Sequence, residues 1–143
     1  RPRAAAELRR ALSRHHVPPP VQEHVLAWLA ERGLVDDAGF AREWVAQRSR
    51  GRRPIGPDRL AAELRERGVG SEIVAEAVAA VTPEQELAQA RAVARAHWPR
   101  YRHHPRLDGE RRLTALLRRR GFTWETIRQV VHEVAGADAE PSP

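Results

Sequence analysis

The chain has 143 residues and a formal net charge of +6, which suits one ordinary domain or a short array of small repeats rather than a multidomain enzyme. Charged residues make up 31% and hydrophobic residues 41%, a balance that excludes a wholly disordered chain. Without cysteine there are no disulfides, thiolate nucleophiles, iron–sulfur clusters or thiolate zinc sites.

No apolar run approaches the roughly 20 residues of a membrane span, and the amino end lacks the apolar stretch of a signal peptide. A soluble, cytoplasmic protein with no membrane contact is expected. The first residue is Arg1 rather than methionine, so a preceding segment is expected as well. All 25 basic residues are arginine. The basic balance favours acidic partners without choosing among nucleic acid, membrane surface and protein.

In chain order, Leu8, Leu12, Val17, Val21, Val25 and Leu29 open a pattern that returns 52 positions later as Leu60, Leu64, Val69, Ile73, Ala77 and Val81. It returns after a further 53 positions as Leu113, Leu117, Phe122, Thr126, Val130 and Val134, with Ile127 supplying the apolar contact that Thr126 lacks. Spacings of four place each set on one helical stripe, and the five-residue step in each copy marks a turn. Gly68 and Gly121 stand where a helix would end in a left-handed residue, and His16 holds the equivalent place in the first copy.

Pro18, Pro19 and Pro20 fit only a turn or a first helical turn, and Thr123 fits an N-cap. A third helix follows in copy one, capped by Asp36 or Asp37 and carrying Phe40, Trp44 and Val45 on its apolar stripe. Thr82, Pro83, Glu84 and Gln85 form a capping box in copy two, ahead of Leu87, Ala90, Ala94 and Trp98. No stretch alternates as a strand would.

The reading is all-α, eight helices in tandem three-helix, helix-turn-helix-like repeats forming an elongated, curved array. The expected units are residues 1–50, 51–104 and 105–136, the last with two helices, followed by a disordered tail at 137–143. Charge falls in bands of +4, −3, +4, −4, +8 and −3 over residues 1–20, 21–47, 48–60, 61–90, 91–120 and 121–143, which implies stripes of opposite sign on the folded chain.

Catalytic and metal chemistry find little support. Ser13, Ser49, Ser71 and Ser142 lack a nucleophile elbow, and the glycines form no phosphate-cradling loop. The pairs His15–His16 and His103–His104, with His97 nearby, have side chains about 100° apart on a helix and do not converge as an i, i+4 pair does. Asp36 and Asp37 are read as caps rather than a carboxylate dyad. No catalytic residue, metal ligand or cofactor is assigned.

Arg48, Arg50, Arg52, Arg53 and Arg59 form a basic patch suited to phosphate or acidic protein, with a solvated loop as the plain alternative. Arg118, Arg119 and Arg120 form a second, although cations at a helix end are also favoured by its dipole. Trp98 and Tyr101 beside Arg100 and Arg102 resemble a base-stacking mixture, but Trp98 fits the core stripe of its helix.

Gly33-Leu34-Val35-Asp36-Asp37, Phe40-Ala41, Arg48, Arg59-Leu60, Glu63-Leu64 and Gly68-Val69, in that order, resemble the central signature of the RecX family of regulatory proteins. Glu7-Leu8 with Leu12, and Arg120-Gly121-Phe122 with Ile127, are similar to that family's first and third units. The likeness covers about residues 3–134. It departs from the family in placing Arg67 where lysine is common before Gly68, and in lacking the further helix that usually precedes Glu7-Leu8.

The resemblance implies a modulator of the RecA recombinase, and the surplus of surface charge makes a monomer the expected state. Such a protein would bind RecA–DNA filaments, contact DNA directly or within the filament, and usually suppress ATP hydrolysis, strand exchange and co-protease activity. A direct nucleic-acid binder of helix-turn-helix type and a protein-interaction scaffold without DNA contact are the alternatives.

Overall fold

The computed structural model describes residues 4–33 and 35–139. Among them lie eight helices: α1 (Ala5–Arg14), α2 (Pro19–Glu31), α3 (Asp37–Ser49), α4 (Pro57–Glu66), α5 (Ser71–Ala79), α6 (Pro83–Tyr101), α7 (Arg106–Arg119) and α8 (Trp124–Ala139). Among the described residues there is no strand, apart from a single bridge position at Val35. The all-α repeat expectation therefore holds.

The repeat is visible in the turns themselves. Val17 N–H donates to Leu12 O at 3.0 Å, Val69 N–H to Leu64 O at 3.1 Å and Phe122 N–H to Leu117 O at 3.2 Å. These are the same helix-ending bond at the three recurring positions. The residue before each donor is left-handed: His16 at φ 59°, Gly68 at 81° and Gly121 at 88°. His16 thus stands in for glycine at some conformational cost.

The chain divides into two compact units, Arg1–Gln47 with Ala61–Ala80, and Arg48–Leu60 with Val81–Pro143. In the first unit α1 and α2 form a hairpin that differs from the expected stripe: no residue of α1 is fully buried, and α2 buries Gln22 and Leu26 instead of Val21 and Val25. The reason is polar. Gln22 turns inward to donate from Nε2 to Val17 O at 2.7 Å and Ser13 Oγ at 3.0 Å, satisfying a loop carbonyl that would otherwise lack a partner.

In the second unit α6, α7 and α8 pack around Trp98, Leu113, Leu117, Phe122, Ile127 and Val130. The expected boundary between residues 104 and 105 falls between two helices of this packed group. Thr82 and Gln85 exchange the two hydrogen bonds of the expected capping box, at 2.9 and 3.1 Å, with Pro83 in the first turn of α6.

Three polar ties fasten α6 to α8. Arg91 grips Glu133 through two hydrogen bonds of 2.7 and 3.0 Å. Trp98 Nε1 donates to Asp138 at 2.6 Å, and the buried Glu86 accepts Thr123 N–H at 2.8 Å. The bond to Asp138 lies in the last turns of α8, which continue through residues assigned by sequence to a tail; residues 140–143 lie outside the described set. Trp98 packs in the core, as its stripe position suggests.

Candidate functional site

The two arginine groups, about 60 residues apart in sequence, meet in the second unit. Gly56 N–H donates to Arg120 O at 2.7 Å and Asp58 N–H to Gly121 O at 3.0 Å, which pins the start of α4 to the end of α7. Gly56 has no room for a side chain: a Cβ there would lie 2.6 Å from the Cα of Phe122. At Gly121 a Cβ would run into Arg59, and the positive φ independently demands glycine.

This clasp gathers charge. Arg59 Nη1 donates to Arg119 O at 3.3 Å. Arg120 is half-buried, and burial lowers its proton affinity first; the neighbouring charges of Arg53, Arg59 and Arg119 lower it further. A guanidinium stays ionised under such pressure. Arg120 therefore sits within the positive field of Arg53, Arg59 and Arg119, at the point where the two segments are held together.

Arg118 plays a different part. Its Nη1 pairs with Asp58 Oδ2 at 2.6 Å and donates to Phe122 O at 2.9 Å, and its guanidinium lies 5.0 Å from the centre of the Trp124 ring. It is a tie within the clasp, committed to its neighbours. Arg50 and Arg52 are exposed in the segment before α4, whereas Arg48 is half-buried. The expected connector starts later than the sequence suggests, because α3 runs on through the buried Ser49.

The signature residues of the first unit build another cluster. Asp36 caps α3, its Oδ1 accepting Gly39 N–H at 2.9 Å, while Asp37 reaches the start of α1 and accepts Ala5 N–H at 2.8 Å. Trp44 stacks on the buried Phe40 with ring centres 5.9 Å apart, donates from Nε1 to Glu63 at 3.0 Å, and carries the Arg67 guanidinium 3.9 Å from its ring centre. Leu64 is fully buried, and Gly68 abuts Ala6. These residues hold helices together, and their polar atoms point at one another.

Among the described residues no three His, Asp or Glu side chains converge as a metal site would require. Nor is any helix there long and apolar enough to cross a membrane. Sequence reasoning missed Glu86 and the inter-helix role of Asp37, because each looks locally like an ordinary first-turn acid.

The fold defines a tandem three-helix repeat protein. Residues 36–78 match the family model for the second three-helix domain of RecX, and residues 84–131 match that for its third. The regulatory protein RecX of Thermobifida fusca is 40% identical over 99% of this chain and 78% of its own length. That of Mycolicibacterium smegmatis is 36% identical over 92% of this chain and 71% of its own.

The crystal structure of RecX from Lactobacillus salivarius shares the fold, with a TM-score of 0.85 at 18% identity, covering 94% of this chain and 86% of that one. The chain belongs to the RecX family of regulatory proteins.

Proposed function

We propose that this chain is a non-catalytic regulator of the RecA recombinase that acts as a monomer in the cytoplasm. It lies along the RecA–DNA filament and suppresses ATP hydrolysis, strand exchange and co-protease activity. What supports the reading is the clasp that holds the Arg59 segment against Arg119 and Arg120 through the bonds of Gly56 N–H to Arg120 O, Asp58 N–H to Gly121 O and Arg59 Nη1 to Arg119 O, in a chain whose family is regulatory.

A filament presents both DNA phosphates and acidic protein side chains at a regular repeat, and a row of small helical units engages such a lattice through many modest contacts. Each engaged contact raises the effective concentration of the next, so units of low individual affinity bind tightly together.

The test is a RecA ATPase assay on single-stranded DNA, titrated with this protein, with binding to bare DNA measured in parallel. The reading expects inhibition well below the concentration that coats bare DNA. Inhibition only at coating concentrations would mark a direct DNA binder instead.

A further inference from the structure

Leu107 and Trp124 are large apolar residues left 66% and 53% exposed. They line an open groove of about 710 Å³ between the outer face of α7 and the start of α8, together with Arg111, Ala115, Arg119 and Val131. On α7 the lining residues recur at helical spacing from Leu107 to Arg119, on the face opposite the buried Leu113 and Leu117. That face extends for about 18 Å at 1.5 Å per residue, which matches about three turns of a docked helix.

The rim is basic. Arg118 is paired with Asp58, and Glu110, the acid of the groove, is paired with Arg106 at 3.0 Å. Among the described residues Arg111 and Arg119 have no acidic partner, and Arg119 also belongs to the arginine cluster. An apolar floor with uncompensated cations at its edge is complementary to an apolar side chain flanked by carboxylates.

We propose that the α7–α8 groove is a docking site for a short amphipathic protein segment that places bulky aliphatic side chains against Leu107 and Trp124 and carboxylates against Arg111 and Arg119. The occupant is protein rather than a nucleic-acid base because Leu107, Ala115 and Val131 offer aliphatic contacts and no row of aromatic rings lines the groove. Single-stranded nucleic acid is held by successive aromatic platforms, whereas Trp124 is the single aromatic residue lining this groove, with the Arg118 guanidinium 5.0 Å from its ring centre. Helix-in-groove recognition lays the apolar face of an amphipathic helix into an apolar groove, and Leu107, Ala115, Trp124 and Val131 supply such a floor.

The test uses the whole chain and three fluorescein-labelled probes: a 14-residue peptide with two leucines four positions apart among glutamates, the same peptide with serine for both leucines, and a 14-residue oligothymidylate. Anisotropy is expected to show the leucine peptide binding at least tenfold more tightly than the serine peptide, with the advantage reduced roughly tenfold in Trp124→Ala. Leu107→Ser, at a still more exposed position, serves as a second variant, and thermal melts of both establish that they fold.

Equal binding of the two peptides, no binding of either, or full affinity in both variants would overturn the proposal. So would tighter binding of oligothymidylate that depends on Trp124, which would assign the groove to a nucleic-acid base. Neither RecA nor its filament enters this experiment, so its failure leaves the filament reading untouched.

Discussion

Replacing Gly56 by alanine tests whether the clasp between α4 and α7 positions the arginine cluster. The added methyl group would meet backbone atoms on the opposing strand of chain, 2.6 Å from both the carbonyl carbon of Gly121 and the Cα of Phe122, so no rotamer change relieves it. The start of α4 must move away, stretching the 2.7 Å bond from Gly56 to Arg120 and the 3.0 Å bond from Asp58 to Gly121. Two weakened hydrogen bonds at about 0.5–1 kcal/mol each, with overpacking of ~1–2 kcal/mol, give a loss of ~2–4 kcal/mol.

For a chain of this size that loss lowers Tm by about 6–12 °C, read by circular dichroism. At 20 °C, where the variant remains folded, filament affinity should also fall although every arginine is intact. Gly51 is the control: it has a positive φ of 100° but open space around it, so Gly51→Ala carries only the conformational cost of about 1 kcal/mol. A Gly56→Ala protein that melts within 2 °C of the parent and binds filaments equally well would refute the reasoning.

Reversing Arg53 and Arg59 together to glutamate should weaken filament binding by about tenfold at 50 mM salt, and by less at 500 mM where charges are screened; anisotropy titrations at the two salt concentrations read the difference. Glu133 is pulled from 4.5 down to about 2, chiefly by its hydrogen bond from Arg91 and then by that from Gln129. Its folded value lies below its unfolded one, so the stability it adds is present above about pH 4.5 and lost as the pH falls toward 2. Glu133→Gln should flatten that part of the stability–pH curve measured by urea unfolding. Gly136 lies within α8 with open space at its Cβ position, so Gly136→Ala should stabilise by about 0.5–1 kcal/mol, raising Tm by ~2 °C.

The helix count and the turns are legible in the sequence because their signals are local. Leu12, Leu64 and Leu117 stand at a fixed offset from a left-handed residue and an apolar one, and the same hydrogen bond closes each turn. The starting helix of each repeat is not legible, since a periodic pattern has no intrinsic origin. Grouping α4 with α6 reads as well as grouping α6 with α8, and only packing distinguishes them. The core joining α6, α7 and α8 agrees with the family's third domain at residues 84–131.

The arginine site was half visible. Both patches are plain as charge runs, but their meeting depends on Gly56 approaching Gly121, a contact between distant segments that no local spacing encodes. Arg118 illustrates the converse: its sequence position groups it with Arg119 and Arg120, yet its pairing with Asp58 commits it to holding the fold. Glu86 reads as a solvated first-turn acid until the N-terminus of α8 is packed over it.

A double-mutant cycle on filament affinity addresses the central claim, that arginines from two distant segments form one anion-binding surface. One arm carries Arg53→Gln with Arg59→Gln, the other Arg119→Gln with Arg120→Gln, neutral replacements that create no new ion pairs inside the cluster. If all four side chains grip the same anionic feature, the combined loss falls short of the sum of the two arms by more than about 0.5 kcal/mol. Losses that add to within that margin would show two independent patches and contradict the account.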